Sequence, residues 1–310
     1  MKEDPRFWCG FLFLLVTRIV PGSTAFSASQ QAPIGLYVHI PYCRQRCRYC
    51  DFAIVPIGDT TGSSDRLSGF QNMDHMYKDA LLSELNLIAE KNNSGPLETK
   101  VSLCSIYFGG GTPSLAPVES LRQILSTILD PDTSPFTVNA DDCEITIEVD
   151  PGTFSREKLL AIREMGFNRI SLGVQSFDDN ILESLGRYHR SSDVKESLAM
   201  ISEVFGPRPN YSIDLISGLP GLSLAKWIET LEIAVNLEPK PAHLSVYDLQ
   251  IESVSFRRTW QFSSVAGHRL WKMVQCRNQL HCGRFYSTGI AFSFDQRHGF
   301  TSTPAFTIAR

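Results

Sequence analysis

Cys43, Cys47 and Cys50 fall within eight positions of the stretch "HIPYCRQRCRYCDF", residues 39 to 52. Thiolates this close together are soft ligands for a metal centre. Structural zinc takes four ligands, usually as two separated pairs, and no second Cys or His pair at suitable spacing follows. A chance cluster of inert thiols is the bland alternative; an iron-sulfur cluster is the chemical one. Cubane clusters usually have four cysteine ligands, so three leave one iron open to a small molecule. That open iron would be a binding site. The remaining cysteines (Cys9, Cys104, Cys143, Cys276 and Cys282) are scattered without pairing logic, and eight in a chain of 310 residues do not make a disulfide scaffold.

Elements able to position such a loop follow directly. Residues 36–40, 105–111, 145–150, 169–175, 212–220 and 243–249 are short apolar runs bounded by Gly, Pro or charge, and the pattern predicts strands there. Helical periodicity fills the intervals at 76–91, 118–129, 156–166, 180–186, 192–205 and 224–237. Strand and helix in repeated alternation predict an α/β fold with a parallel sheet. Because the motif residues gather at strand ends, a partial (β/α) barrel with outer helices fits better than a Rossmann sheet, where one Gly-rich turn would dominate.

The composition, 43% hydrophobic with a formal net charge of −4, supports a large buried core and gives no electrostatic case for nucleic acid. The apolar run from Phe7 to Val16 is too short to span a bilayer, so no stable membrane span is expected. Residues 1–33 read as a targeting segment for an organelle, plastid or mitochondrion, or else as a disordered cytosolic extension. Residues 34–253 form the expected core domain. Residues 254–310 carry no clear helix or strand period and read as an out-of-frame or mis-spliced tail, poorly ordered, in which His268, Cys276, His281 and Cys282 are incidental.

The Cys-x3-Cys-x2-Cys spacing, Tyr49 before the last cysteine and "GGGTPS" at 109–114 resemble the radical S-adenosylmethionine (radical SAM) superfamily. Within it, "LYVHIPYC", "EVDPGT", "RISLGVQSFDD", "LGRYHR", "DLISGLP" and "HLSVYDLQIE" resemble the HemW branch, relatives of the oxygen-independent coproporphyrinogen III oxidases. The resemblance runs from about Leu36 to Glu252.

It implies that Cys43, Cys47 and Cys50 hold a 4Fe-4S cluster whose fourth iron takes S-adenosylmethionine, and that an electron from the cluster cleaves the sulfonium. Gly110 and Gly111 would let the backbone approach the methionine amino group, with Thr112 adding a hydroxyl. Glu148, Gln175 and Asp214 resemble residues that meet the amino, ribose and adenosyl parts, Arg187 the partner of the methionine carboxylate, and Tyr37 the strand tyrosine beside the cofactor. Taken singly, each has a bland reading: a solvated polar residue at a strand end, or for Arg187 a charge at a helix C-terminus. Arg44, Arg46 and Arg48 would make the cluster region electropositive and favour its reduced state, against a default reading as a solvated run, and His39 reads as structural.

Two departures from the family pattern bear on function. The oxidases carry a further cysteine two positions after the third; here that place is Phe52. After "VYDLQIES" the family's haem motif does not appear. The resemblance therefore implies haem transfer by a haem chaperone, with haem or another tetrapyrrole, an acceptor protein and a reductant such as flavodoxin or ferredoxin as partners. A porphyrin-pathway enzyme and an inactive cluster-binding remnant are the alternatives.

Overall fold

The computed structural model describes residues 14–18, 34–59, 64–93, 100–139, 141–249, 293–295 and 299–301. Its first half runs β1 (Leu14–Arg18), β2 (Ile34–Ile40), the short β3 (Tyr42–Cys43) and β4 (Val55–Pro56), α1 (Ser64–Asn93), β5 (Val101–Gly110), α2 (Val118–Leu129) and β6 (Phe136–Val138). There follow β7 (Glu144–Val149), α3 (Arg156–Glu164), β8 (Arg169–Gln175), α4 (Asp179–Ser184), α5 (Ser191–Phe205), β9 (Tyr211–Ser217), α6 (Leu224–Val235) and β10 (His243–Asp248). In the tail, β11 (Ser293–Asp295) pairs antiparallel with β12 (Gly299–Thr301). That pair is regular structure where the sequence predicts none. The remainder of the tail, with its histidines and cysteines, lies outside the described residues.

Six strands lie side by side in the order β2-β5-β7-β8-β9-β10, every pairing parallel. They form a half-barrel with helices outside, as the alternating pattern predicts. Parallel strands need covered crossovers, and their two-sided burial explains the near-continuous apolar runs. Ile145, Ile147 and Val149 of β7 and Ile170, Leu172 and Val174 of β8 are all buried. On the outer layer, α2 turns Leu121, Ile124, Leu125 and Ile128 inward at helical spacing, against the same core as Phe108 and Phe167. Ser155, Asp178 and Ser223 cap α3, α4 and α6 by accepting backbone N–H bonds.

Three elements depart from the sequence expectation. Helix α1 starts at Ser64, not near residue 76; its first turns include Arg66, Leu67, Ser68 and Gly69, all exposed, so no apolar stripe announces them. Strand β6 pairs only with the first residues of β5 and is too short to show a period. Strand β1 lies antiparallel along the outer edge of β2, inside the stretch assigned to targeting; the rest of that stretch lies outside the described residues. No helix among the described residues is long and apolar enough to cross a membrane.

With all six strands parallel, their C-terminal ends share one rim. Beyond β2 comes Cys43, beyond β5 Thr112 and beyond β7 Asp150, while β8 ends on Gln175. This is the end at which barrels of this kind carry their chemistry.

Candidate functional site

The cysteine loop leaves β2 and is braced on several sides. Backbone bonds tie Ile57 N to Cys43 O at 2.8 Å, Gly58 N to Arg44 O at 3.0 Å and Arg48 N to Leu185 O at 2.9 Å. Its arginines are not merely solvated. Arg44 donates to Gly152 O at 3.0 Å, Arg48 to Ser184 O at 2.9 Å, and Arg46 to Cys50 O and Phe52 O, both at 3.1 Å. Each guanidinium satisfies carbonyls that a loop without regular structure leaves open. Arg44 also sits 4.6 Å from the ring centre of the exposed Tyr188.

The three thiols are half-buried and free of disulfides. Burial pushes the Cys43 thiol up to about 12 and raises Cys47 and Cys50, with the Arg187 charge drawing Cys47 back. Protonated thiols of this kind give up their protons when a metal takes them. Among the described residues, no three side chains of His, Cys, Asp or Glu converge as a single metal ion requires. Ligands of one zinc ion would lie within about 4 Å of each other, given Zn–S bonds of about 2.3 Å. A multi-iron cluster is wider.

Behind the loop stands a polar network. Cys43 Sγ lies 3.6 Å from Thr112 Oγ1, which donates to Asp150 Oδ2 at 3.1 Å. Asp150 Oδ1 accepts from Arg187 Nη2 at 2.6 Å, and Arg187 Nη1 reaches Cys47 Sγ at 3.8 Å and the Tyr49 hydroxyl at 3.2 Å. Arg187 Nη2 further donates to Gly173 O at 2.7 Å and lies 3.4 Å from His189 Nδ1. His189 holds Val174 O at 3.1 Å through Nε2, and burial, aided by the Arg187 charge, lowers its pKa to about 4. The neutral ring therefore donates from Nε2 and accepts at Nδ1. Both terminal nitrogens of Arg187 are thus committed within the protein, so only Nε remains to meet a ligand carboxylate; no fork is free.

A second group lies along the rim. Glu148 accepts from the Tyr107 hydroxyl at 2.7 Å and from Gly110 N at 3.0 Å. Burial raises its carboxyl to about 7, and the Asp214 and Asp150 charges add to the rise. Burial likewise pushes Asp214, which accepts from Ser171 Oγ at 3.2 Å, up to about 6. Tyr37 pairs in register with Tyr107, their rings stacked 6.1 Å apart, and the Tyr37 hydroxyl meets His39 Nδ1 at 3.2 Å. The strand register slips between Leu172 and Gln175, and Gln175 ends up at φ 66°, a left-handed conformation that side chains rarely adopt.

The glycines are already needed by the fold itself. A Cβ on Gly110 would come within 2.4 Å of His39 Nδ1, and one on Gly111 within 2.6 Å of Tyr42 O. The first clash is with the protein's own ring and the second with its own backbone. Both glycines therefore serve the close passage of β5 beside the cysteine loop, whatever else approaches them.

At this rim two buried polar atoms, Arg187 Nε, a donor, and Asp214 Oδ1, an acceptor, have no hydrogen-bond partner among the described residues. Together with Glu148 and Asp150 they make a rim rich in carboxylates with one free cationic donor. S-adenosylmethionine offers a cationic sulfonium and ammonium, ribose hydroxyls and a carboxylate. The residues present fit it, and the three thiols fit the iron-sulfur cluster that accompanies it in this chemistry.

The radical SAM superfamily model matches residues 37–234, which include Cys43, Cys47, Cys50, Thr112, Glu148, Asp150, Gln175, Arg187 and Asp214. The chain belongs to the radical SAM superfamily. Membership implies a 4Fe-4S cluster and S-adenosylmethionine. Among similar proteins, this radical SAM chain is 39% identical over 229 residues to the "Heme chaperone HemW" of Synechocystis, covering 74% of the chain and 50% of that protein. It is 34% identical over 227 residues to the mouse "Radical S-adenosyl methionine domain-containing protein 1, mitochondrial", covering 73% of the chain and 45% of that protein. Among solved structures, coproporphyrinogen III oxidase (HemN) from Escherichia coli superposes with a TM-score of 0.56 at 28% identity, covering 71% of the chain and 45% of that structure. The chain is HemW-like within the superfamily and spans about half the length of the curated relatives it matches.

Sequence reasoning missed Asp150, His189 and Tyr107. Asp150 closes the predicted strand 145–150, where it reads as the charge that bounds an apolar run. Tyr107 reads as a strand core residue, and only the paired register reveals that its hydroxyl reaches Glu148.

Proposed function

We propose that this protein is a HemW-like radical SAM haem chaperone, binding a 4Fe-4S cluster through Cys43, Cys47 and Cys50 and S-adenosylmethionine along the adjoining rim. The observation that carries it is the network joining Cys43 to Cys47 through Thr112, Asp150 and Arg187, beside the two orphaned polar atoms. When bound, the cluster and S-adenosylmethionine supply reductive cleavage of a carbon–sulfur bond. The protein's own part is positional. With S-adenosylmethionine bound, Asp214 Oδ1 would accept from a ribose hydroxyl, Arg187 Nε would donate to the methionine carboxylate, Glu148 would meet the cationic end, and Tyr37, Gly110, Gly111, Thr112 and Gln175 would shape the pocket wall. Haem and a haem-accepting protein are the proposed cargo and partner. A flavodoxin or ferredoxin is the proposed reductant, and an organelle is the proposed location.

Coproporphyrinogen decarboxylation is the second reading, favoured by the structural likeness to HemN. Phe52 speaks against it: an exposed phenyl ring stands where the oxidases carry a cysteine. The deciding experiment is an anaerobic assay of the reconstituted chain against both substrates. No decarboxylation is expected, with weak haem uptake by this chain, whose residues after 253 lack the family's haem motif, and near-stoichiometric uptake with transfer to an apo-haemoprotein once a family-like C-terminal region is joined in frame. Conversion of coproporphyrinogen III would overturn the chaperone assignment in favour of the enzyme.

A further inference from the structure

Arg187 is the most heavily committed side chain at the rim. It is only 8% exposed, and its Nη2 is shared among Asp150 at 2.6 Å, Gly173 O at 2.7 Å and His189 at 3.4 Å. Three acceptors, Asp150 after β7, Gly173 within β8 and His189 between α4 and α5, fix one nitrogen, and the planar guanidinium then has no freedom to turn the other. That other nitrogen points at Cys47 Sγ, 3.8 Å away, from 140 residues along the chain. His189 is in turn held by Val174 O, at the slip in register that ends β8.

We infer that Arg187 is an outer hydrogen-bond donor to the Cys47 ligand, aimed by Asp150 and His189 as positioning residues, and that this arrangement sets the reduction potential of the assembled cluster. The inference rests on the cluster assignment above and adds to it a device lying outside the ligand loop. A cationic donor to a ligand sulfur stabilises the reduced, more negative cluster, and hydrogen bonds to the sulfurs and net charge are the levers by which proteins tune such potentials. His189 is the informative partner. Its Nδ1 accepts from Arg187 and so carries no proton, which means that replacing the ring by an apolar side chain removes an aiming contact without removing a charge.

The test is an anaerobic redox titration of reconstituted protein, without S-adenosylmethionine, followed by the electron paramagnetic resonance signal of the reduced cluster. Arg187→Gln and His189→Leu are each expected to move the midpoint to more negative potential, and His189→Gln, which keeps a donor and an acceptor, to restore it. In the Arg187→Gln background, His189→Leu should add nothing, since its effect passes through the guanidinium. Unshifted midpoints in cluster-bearing, folded variants, or full additivity of the two substitutions, would overturn the inference while leaving the cluster assignment standing. If His189→Leu does not fold, Arg187→Lys against Arg187→Gln decides: a graded fall from wild type through Lys to Gln supports the inference, and equal midpoints overturn it. A wild-type chain that assembles no cluster would remove the assignment and the inference together.

Discussion

Glu148 closes over Gly110: its Oε2 accepts the glycine's backbone N–H at 3.0 Å, pinning the end of β5 to the end of β7. Burial holds that carboxyl at about 7 against an ordinary 4.5. Between those two values the folded chain keeps a proton that the unfolded chain has released, so stability falls as pH rises through this window. Asp214, raised to about 6, acts in the same direction. The urea midpoint of the cluster-free chain should therefore decline from about pH 5 to about pH 7, and Glu148→Gln should decline less. Parallel slopes for the two proteins would show that Glu148 titrates normally.

The cysteines give the simplest test. Reconstitution with iron and sulfide under anaerobic conditions should load one 4Fe-4S cluster per chain, read by iron analysis and the visible spectrum. Cys47→Ala, which removes the thiol facing Arg187, should lose it. Full loading of that variant would defeat the three-thiol assignment.

Asp214 carries a buried acceptor with no partner, so its role shows in ligand affinity. Asp214→Ala should weaken S-adenosylmethionine binding by about 1.5–3 kcal/mol, the scale of a hydrogen bond to a charged group, with the cluster spectrum intact. Anaerobic calorimetry measures it. Unchanged affinity would assign Asp214 to its contacts with Ser171 and Ser245.

Gln175 holds φ 66° with a full side chain, and the strain of that conformation is about 1–2 kcal/mol. Gln175→Gly should raise the thermal midpoint of the cluster-free chain while lowering S-adenosylmethionine affinity. A variant that loses stability would show that the amide's contacts outweigh the backbone strain.

The fold was legible where burial imposes a period. The apolar runs of β7 and β8 and the stripe of α2 follow from which sides must be covered, and their sequence boundaries lie close to the observed ones. The start of α1 was not legible because Arg66, Leu67, Ser68 and Gly69 point to solvent and leave no stripe. In the site, the cysteines announce themselves by spacing alone. Asp150 and His189 do not, since their part depends on how the folded chain aims the Arg187 guanidinium, which Asp150 meets from 37 residues away and His189 from only two, with no spacing that marks either contact. The arginines of the loop show the same limit: their charges suggest solvent, while their bonds to backbone carbonyls arise only once the loop is folded.

The parallel sheet also dictates how the protein can be handled. Asn139 Nδ2 donates to Asp142 Oδ2 at 2.6 Å just before the start of β7, while Asp150 follows its far end. Six residues of strand separate the two by about 20 Å. A surface tether or affinity handle inserted beside Asn139 would immobilise the chain with its cysteine loop facing outward, open to a soluble reductant in the surrounding solution.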